Sequence, residues 1–147
     1  MNEPLPEYPF PGTLTILVVD DVDAVRQVAY RLLSEAGYRV FEAASAVEAL
    51  EVLGTTAAPV NLVMVDVVMP EVNGVDLVRL VHDRWPTIPV LFMSAYPAEV
   101  LVRQGLENPN VSFLAKPWTR NELLRKVADT ARIQPARHGE QQRRPKS

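Results

Sequence analysis

The chain contains no cysteine. Disulfides, thiolate nucleophiles and sulfur-ligated zinc are therefore excluded. Histidine is almost as scarce: only His82 and His138 are present, too few for an imidazole-ligated zinc site, and both read as surface residues. Charge interrupts every apolar stretch before it reaches bilayer length, and the opening residues MNEP lack the basic start and apolar body of a signal peptide. The expectation is a soluble, cytoplasmic protein with no membrane partner. Net charge is slight as well, at −3, too mild to imply a strongly charged partner, and no nucleic-acid partner is expected.

The composition does supply a core. With 48% hydrophobic residues in 147, the chain suits one domain and leaves no room for a second catalytic or DNA-binding one. Residues 1–12 hold four of the thirteen prolines and no periodic pattern, so they read as a disordered leader. Residues 133–147 include Arg137, Arg143, Arg144 and Lys146 but almost no apolar side chains. This basic tail is expected to be disordered and solvated, since it lacks the interleaved aromatics of a nucleic-acid grip. The domain is expected over 13–132, and no internal repeat is visible.

Within it, strand-like apolar runs alternate with segments of helical period, the pattern of an α/β domain built on a parallel sheet. The first run, 14–19 (LTILVV), precedes a helix over 22–36 with Val22, Val25, Ala29, Leu32, Leu33 and Ala36 on one face and Gly37 as its stop. A short strand over 38–43 carries Arg39 and Glu42, which mark it as an edge. Ser45 and Glu48 have capping-box spacing, followed by a stripe of Ala46, Ala49, Leu50 and Leu53 and by Gly54. Residues 60–65 are almost uniformly apolar, as in a central strand covered on both faces.

A loop through Asn73 and Gly74 then leads to a third helix with Leu77, Leu80 and Val81, which ends before Pro86. A fourth strand follows over 88–93, with Pro89 near its start. The fourth helix, over 98–106, has consecutive Val100, Leu101 and Val102 and so no stripe. A fifth strand spans 111–115, and Thr119 and Glu122 open a helix whose Leu123, Leu124, Val127, Ala128 and Ala131 face the core. Trp85 reads as a residue at the edge of the core.

Polar residues gather where these strands end. Asp20 and Asp21 follow the first strand, Asp66 the third, Ser94 the fourth, and Lys116-Pro117 the fifth. Right-handed crossovers bring all these ends to one edge, where open parallel sheets bind ligands. Carboxylates sharing a site repel one another unless a cation joins them, and oxygen-only donors suit Mg²⁺. An ammonium and a hydroxyl match a phosphoryl group's oxygens, and an aspartate can act as the nucleophile, with Asp66 the best placed. Taken singly, each residue has a plainer role: Asp20 as a helix N-cap, Asp66 as a turn residue, Ser94 as a cap, Lys116 as a solvated charge.

Four segments, 16–21 (ILVVDD), 66–74 (DVVMPEVNG), 93–95 (MSA) and 113–117 (FLAKP), resemble the receiver domain of two-component response regulators over roughly residues 14–132. The resemblance implies a flavodoxin-like (βα)5 doubly wound sheet of strand order 2-1-3-4-5. It makes Asp66 the phosphoacceptor, with Mg²⁺ held by Asp20, Asp21, Asp66 and the Val68 carbonyl. Ser94 and Lys116 then contact the phosphoryl oxygens, and the Lys116–Pro117 bond is cis. The donor it implies is a phosphohistidine on a histidine kinase or a phosphotransfer protein.

The same resemblance implies a switch, not a turnover enzyme, in a protein that assists its own phosphorylation and dephosphorylation. Ser94 moves toward the phosphoryl group and Phe113, where tyrosine is frequent in the family, turns inward by packing alone. Output is expected through a protein partner, with the protein a monomer or a homodimer through the face of the fourth helix, fifth strand and fifth helix. Segments 89–94 (PVLFMS) and 113–118 (FLAKPW) also resemble receivers of hybrid histidine kinases, which makes a phosphorelay role a variant. Val68 and Tyr96 carry no carboxylate or amide to orient an attacking water, so they are expected to shield the aspartyl phosphate. Two alternatives stand beside this reading: a Mg²⁺-dependent phosphohydrolase of haloacid dehalogenase type, using the acids of 21–23 (DVD), and a scaffold that binds without phosphorylation.

Overall fold

Runs of Val, Leu, Ile and Met that are apolar at every position must be covered on both faces, and the chain achieves this by winding helices around both sides of one sheet. The computed structural model describes residues 14–57, 59–95 and 111–131. In chain order these form β1 (Thr15–Val19), α1 (Asp23–Glu35), β2 (Arg39–Ala43), α2 (Ala46–Thr55), β3 (Leu62–Asp66), α3 (Gly74–Arg84), β4 (Val90–Ser94), β5 (Val111–Ala115) and a last helix, Arg120–Ala131. The strands are all parallel in the order β2-β1-β3-β4-β5. This is the doubly wound, flavodoxin-like order. The helix expected over 98–106 lies outside the described residues, as do the expected leader and tail.

Side chains alternate across the sheet with a period of two. Leu17, Val19, Val63, Val65, Val90 and Phe92 pack on one face with Ala49 and Leu53 of α2 and Leu77 and Val81 of α3. Ile16, Val18, Leu62, Met64, Leu91 and Met93 pack on the other with Ala29 and Leu33 of α1 and Leu123, Leu124 and Val127 of the last helix. The sheet is thus sandwiched. Among the described residues no helix is long and apolar enough to cross a membrane.

Both capping boxes form. Ser45 Oγ accepts from the Glu48 amide at 3.2 Å, though Glu48 reaches back to the amide of Ala44 instead of that of Ser45. Thr119 and Glu122 bond reciprocally, at 2.9 and 3.1 Å. Gly37, at φ 106°, closes α1 as expected, because its left-handed backbone suits glycine. Gly54 does not stop α2, which runs on to Thr55.

Several expectations shift in detail. Val22 is the N-cap of α1 and exposed, so the buried stripe rests on Ala29 and Leu33. Leu80 of α3 is exposed as well: Gly74, Val75, Leu77, Val78 and Val81 are the buried residues, and Leu80 falls off their face. β3 begins two residues later than expected and includes Asp66, while β4 runs from Val90 and includes Ser94. His82 is no free surface residue, since its Nε2 lies 2.9 Å from the Ile88 carbonyl. Trp85 does sit at the core edge, with the Arg84 guanidinium 4.5 Å over its ring.

The loop from β3 to α3 depends on one glycine. Gly74 donates its amide to the Val67 carbonyl at 2.8 Å, and a Cβ there would lie 2.2 Å from the Asp66 carbonyl oxygen. Backbone on backbone leaves nothing flexible to give way. Gly74→Ala is expected to lower stability by about 2 kcal/mol, within the range for overpacked sites. A denaturant melt checks this, and an unchanged midpoint would show that the loop can open.

Candidate functional site

Register brings the acids together before any side chain is considered. Val19 pairs with Val65, so the next residues of the adjacent strands, Asp20 and Asp66, stand level at the carboxyl edge of the sheet. Asp20 continues the β1 ladder by donating its amide to the Ala43 carbonyl at 3.1 Å, and Lys116 continues β5 by donating to the Ser94 carbonyl at 2.9 Å. Asp20, Asp66 and Lys116 extend the alternation of Val18, Met64 and Leu114, which all belong to the face covered by α1 and the last helix.

The side chains meet there. Lys116 Nζ lies 3.2 Å from Asp66 Oδ2 and 3.3 Å from Asp20 Oδ2, so one ammonium bridges two buried carboxylates. Asp21 joins them at the rim, with one oxygen from each of Asp20, Asp21 and Asp66 within 4.8 Å of the others. Among the described residues the Asp21 carboxylate has no hydrogen bond or ion pair of its own. Asp66 Oδ1 accepts from the Val68 amide at 3.3 Å. Asp20 Oδ1 accepts from the Val22 amide at 2.9 Å, an aspartate turn bond, while the N-cap of α1 is Val22 itself. The expected N-cap role of Asp20 is therefore not met: one of its oxygens makes this turn bond and the other is left for the site.

The remaining expected residues are close in the fold but less entangled. Ser94 is buried at the end of β4, and the Lys116–Pro117 bond is cis. Val68 is 54% exposed. Phe113 is half-buried and stacks on Phe92, with ring centroids 6.0 Å apart and an interplanar angle of 18°. Tyr96 lies outside the described residues. Beside Lys116, Ala24, Val25, Val28, Pro117 and Trp118 line a mainly apolar cavity.

Three residues near the site have parts that the sequence does not reveal. Arg26 of α1 donates to the backbone carbonyl of Asp20 at 2.7 Å and is held by Asp23 and Glu42. Its only sequence signal is the three-residue spacing from Asp23. Asn73 and Gly74 read as a turn in the sequence, whereas Asn73 caps α3 by accepting from the Asp76 amide at 2.9 Å and Gly74 presses against Asp66. Asp23 itself has a side chain 74% exposed and paired with Arg26. The haloacid dehalogenase alternative needed it as a partner for Asp21, and it does not face the acidic site.

Three carboxylates against one ammonium leave the site short of positive charge. Burial pushes the Asp66 carboxyl above its ordinary range; Lys116 pulls it down and Asp20 pushes it up, and the net displacement is upward. The donor set is all oxygen and the groups are already gathered, so the residues present fit a hard divalent cation such as Mg²⁺. A raised acid stabilises the fold less once ionised. In metal-free protein this contribution falls as pH rises from the unfolded carboxylate range through the folded one. Asp66→Asn is therefore expected to melt higher than the parent in EDTA at neutral pH, with the gap closing in acid. Thermal melts at several pH values test this, and a variant that melts no higher at neutral pH contradicts the assignment of unrelieved charge.

Comparison with known proteins places the chain in a family. The response regulator receiver domain family matches residues 16–128. The sensor kinase CckA of Brucella abortus is 39% identical over 118 residues, covering 80% of this chain and 12% of the kinase. A two-component response regulator-like protein of Arabidopsis thaliana, APRR7, is 33% identical over 76% of this chain and 16% of its own length. The chain thus spans only a small part of these relatives. Among solved structures, the receiver domain of the hybrid histidine kinase CckA has a TM-score of 0.67 at 37% identity, covering 80% of this chain and 98% of that one. Vibrio cholerae chemotaxis protein CheY4 has a TM-score of 0.70 at 26% identity, covering 80% and 98%. With a 2-1-3-4-5 sheet whose carboxyl edge gathers three aspartates, two of them paired with a lysine, the chain belongs to the receiver domains of two-component response regulators, phosphoacceptor switches in signalling.

Proposed function

We propose that Asp66 accepts a phosphoryl group from a phosphohistidine and that Asp20, Asp21, Asp66 and the Val68 carbonyl hold Mg²⁺ for the transfer. The observation that carries this reading is the contact of Lys116 with both Asp20 and Asp66, within reach of Asp21. An Asp66 oxygen attacks phosphorus, the P–N bond of the donor breaks, and the imidazole nitrogen leaves with the electron pair. A buried carboxylate has little hydration to shed before it attacks. A divalent cation bound to the acids supplies the charge neutralisation that the transferring group needs. Lys116 and Ser94 then hold the phosphoryl oxygens.

In this role the chain assists its own phosphorylation and dephosphorylation. Its donor is a histidine kinase or histidine phosphotransfer protein, whose approach the apolar cavity beside Lys116 suits. Ser94 and Phe113 report the modification: the phenyl ring, now stacked on Phe92, repacks as Ser94 moves. The signal leaves through a cytoplasmic protein partner or onward phosphorelay, from a monomer or a homodimer formed on the face of the 98–106 segment, β5 and the last helix.

Incubation with acetyl phosphate and Mg²⁺ is expected to add one phosphoryl mass to the parent and none to Asp66→Asn. Lys116→Ala should still be phosphorylated while losing the change at the output face. An adduct of equal yield on Asp66→Asn overturns the assignment, and a parent that stays unmodified favours the scaffold reading. Val68 stands exposed beside the acceptor, with no group to guide water. Val68→Asn is accordingly expected to shorten the phosphoryl half-life, and an unchanged decay removes the shielding role.

A further inference from the structure

We propose that Arg26 is a positioning residue for the acid pair Asp20–Asp21, anchoring the peptide that joins them and so setting the affinity of the site for its divalent cation. This rests on the reading that the three aspartates hold such a cation. Arg26 stands on α1, with its side chain only 12% exposed. One guanidinium nitrogen donates to the Asp20 carbonyl at 2.7 Å, a second reaches Asp23 at 2.6 Å, and Nε reaches Glu42 of β2 at 3.1 Å. A planar fork that spans three acceptors fixes orientation in a way a lysine ammonium cannot.

The Asp20 carbonyl and the Asp21 amide belong to one rigid peptide plane. Holding that carbonyl therefore fixes the direction in which the chain leaves Asp20 and enters Asp21. Asp20 has other restraints, through Ala43, Val22 and Lys116. Asp21 has none among the described residues, so the placement of its carboxylate depends on the backbone that Arg26 grips. Glu42 ties the same guanidinium to the edge strand, one residue before the Ala43 carbonyl that receives the Asp20 amide. The edge strand and the first helix thus converge on the peptide between the two acids.

The sign of the effect separates this role from a through-space one. Arg26 is a cation near an acidic cluster, so if it acted by charge alone its removal would tighten cation binding. If it positions Asp21, its removal weakens binding.

The test is Mg²⁺-dependent phosphorylation by acetyl phosphate, with Mg²⁺ binding to the unphosphorylated protein measured by calorimetry and folding checked by thermal melts in EDTA. Arg26→Gln is expected to raise the half-saturating Mg²⁺ concentration about tenfold, as for other residues that orient metal ligands, with the rate at saturating Mg²⁺ retained. Glu42→Ala, on the exposed edge strand, should shift it in the same direction by a smaller factor, and it decides the matter if Arg26→Gln does not fold. Unchanged or tighter Mg²⁺ binding in a folded Arg26→Gln overturns the inference, as does an unchanged value in Glu42→Ala where that variant decides. A parent whose phosphorylation needs no Mg²⁺ overturns the cation reading itself, which the variants leave distinct.

Discussion

Two carboxylates buried side by side, with a single ammonium between them, are the constraint around which the rest of this structure is organised. Asp20 and Asp66 lie where water has little access, and Lys116 meets both. Taking charges out of water opposes folding unless attraction and hydrogen bonds offset it. Here the offset is incomplete: burial and the neighbouring Asp20 outweigh the pull of Lys116, and the net push on Asp66 is toward protonation. The fold therefore holds its functional edge in a state that added positive charge or an added phosphoryl group can change.

The remainder of the molecule makes that arrangement affordable. Both faces of the sheet are packed, with Phe92, Leu17 and Met64 among the side chains fully shielded from solvent. Parallel register then does what local sequence cannot. It sets Asp20 level with Asp66 on the neighbouring strand and places Lys116 one step beyond the Ser94–Ala115 pair. Gly74 lets the loop after Asp66 fold back against its backbone, and Arg26 grips the peptide after Asp20. The ends of β1 and β3 thus meet α1 and the start of α3 respectively.

Much of this was legible in the sequence because burial and period leave few choices. Strands such as 62–66 must be central when no position is polar before Asp66, and Arg39 and Glu42 could only sit on an edge. The polar residues at successive strand ends then had to converge. What escaped depended on how elements are set against one another. Arg26 looks like any exposed helical arginine until α1 is docked and its carbonyl partner is seen. Leu80 fits a three-and-four spacing as well as Val78 does, and only packing shows which one faces the sheet. Gly74 could be placed in the loop before α3, but its close approach to the Asp66 backbone shows only in the fold.

Whether segments remote in sequence form one cation site can be decided by a Mg²⁺ titration followed through backbone amide resonances. The amides of Asp20, Asp21, Asp66, Val68 and Lys116 are expected to respond together and to fit a single dissociation constant. Response confined to one segment, or separate constants for the first and third strand ends, would contradict a single site.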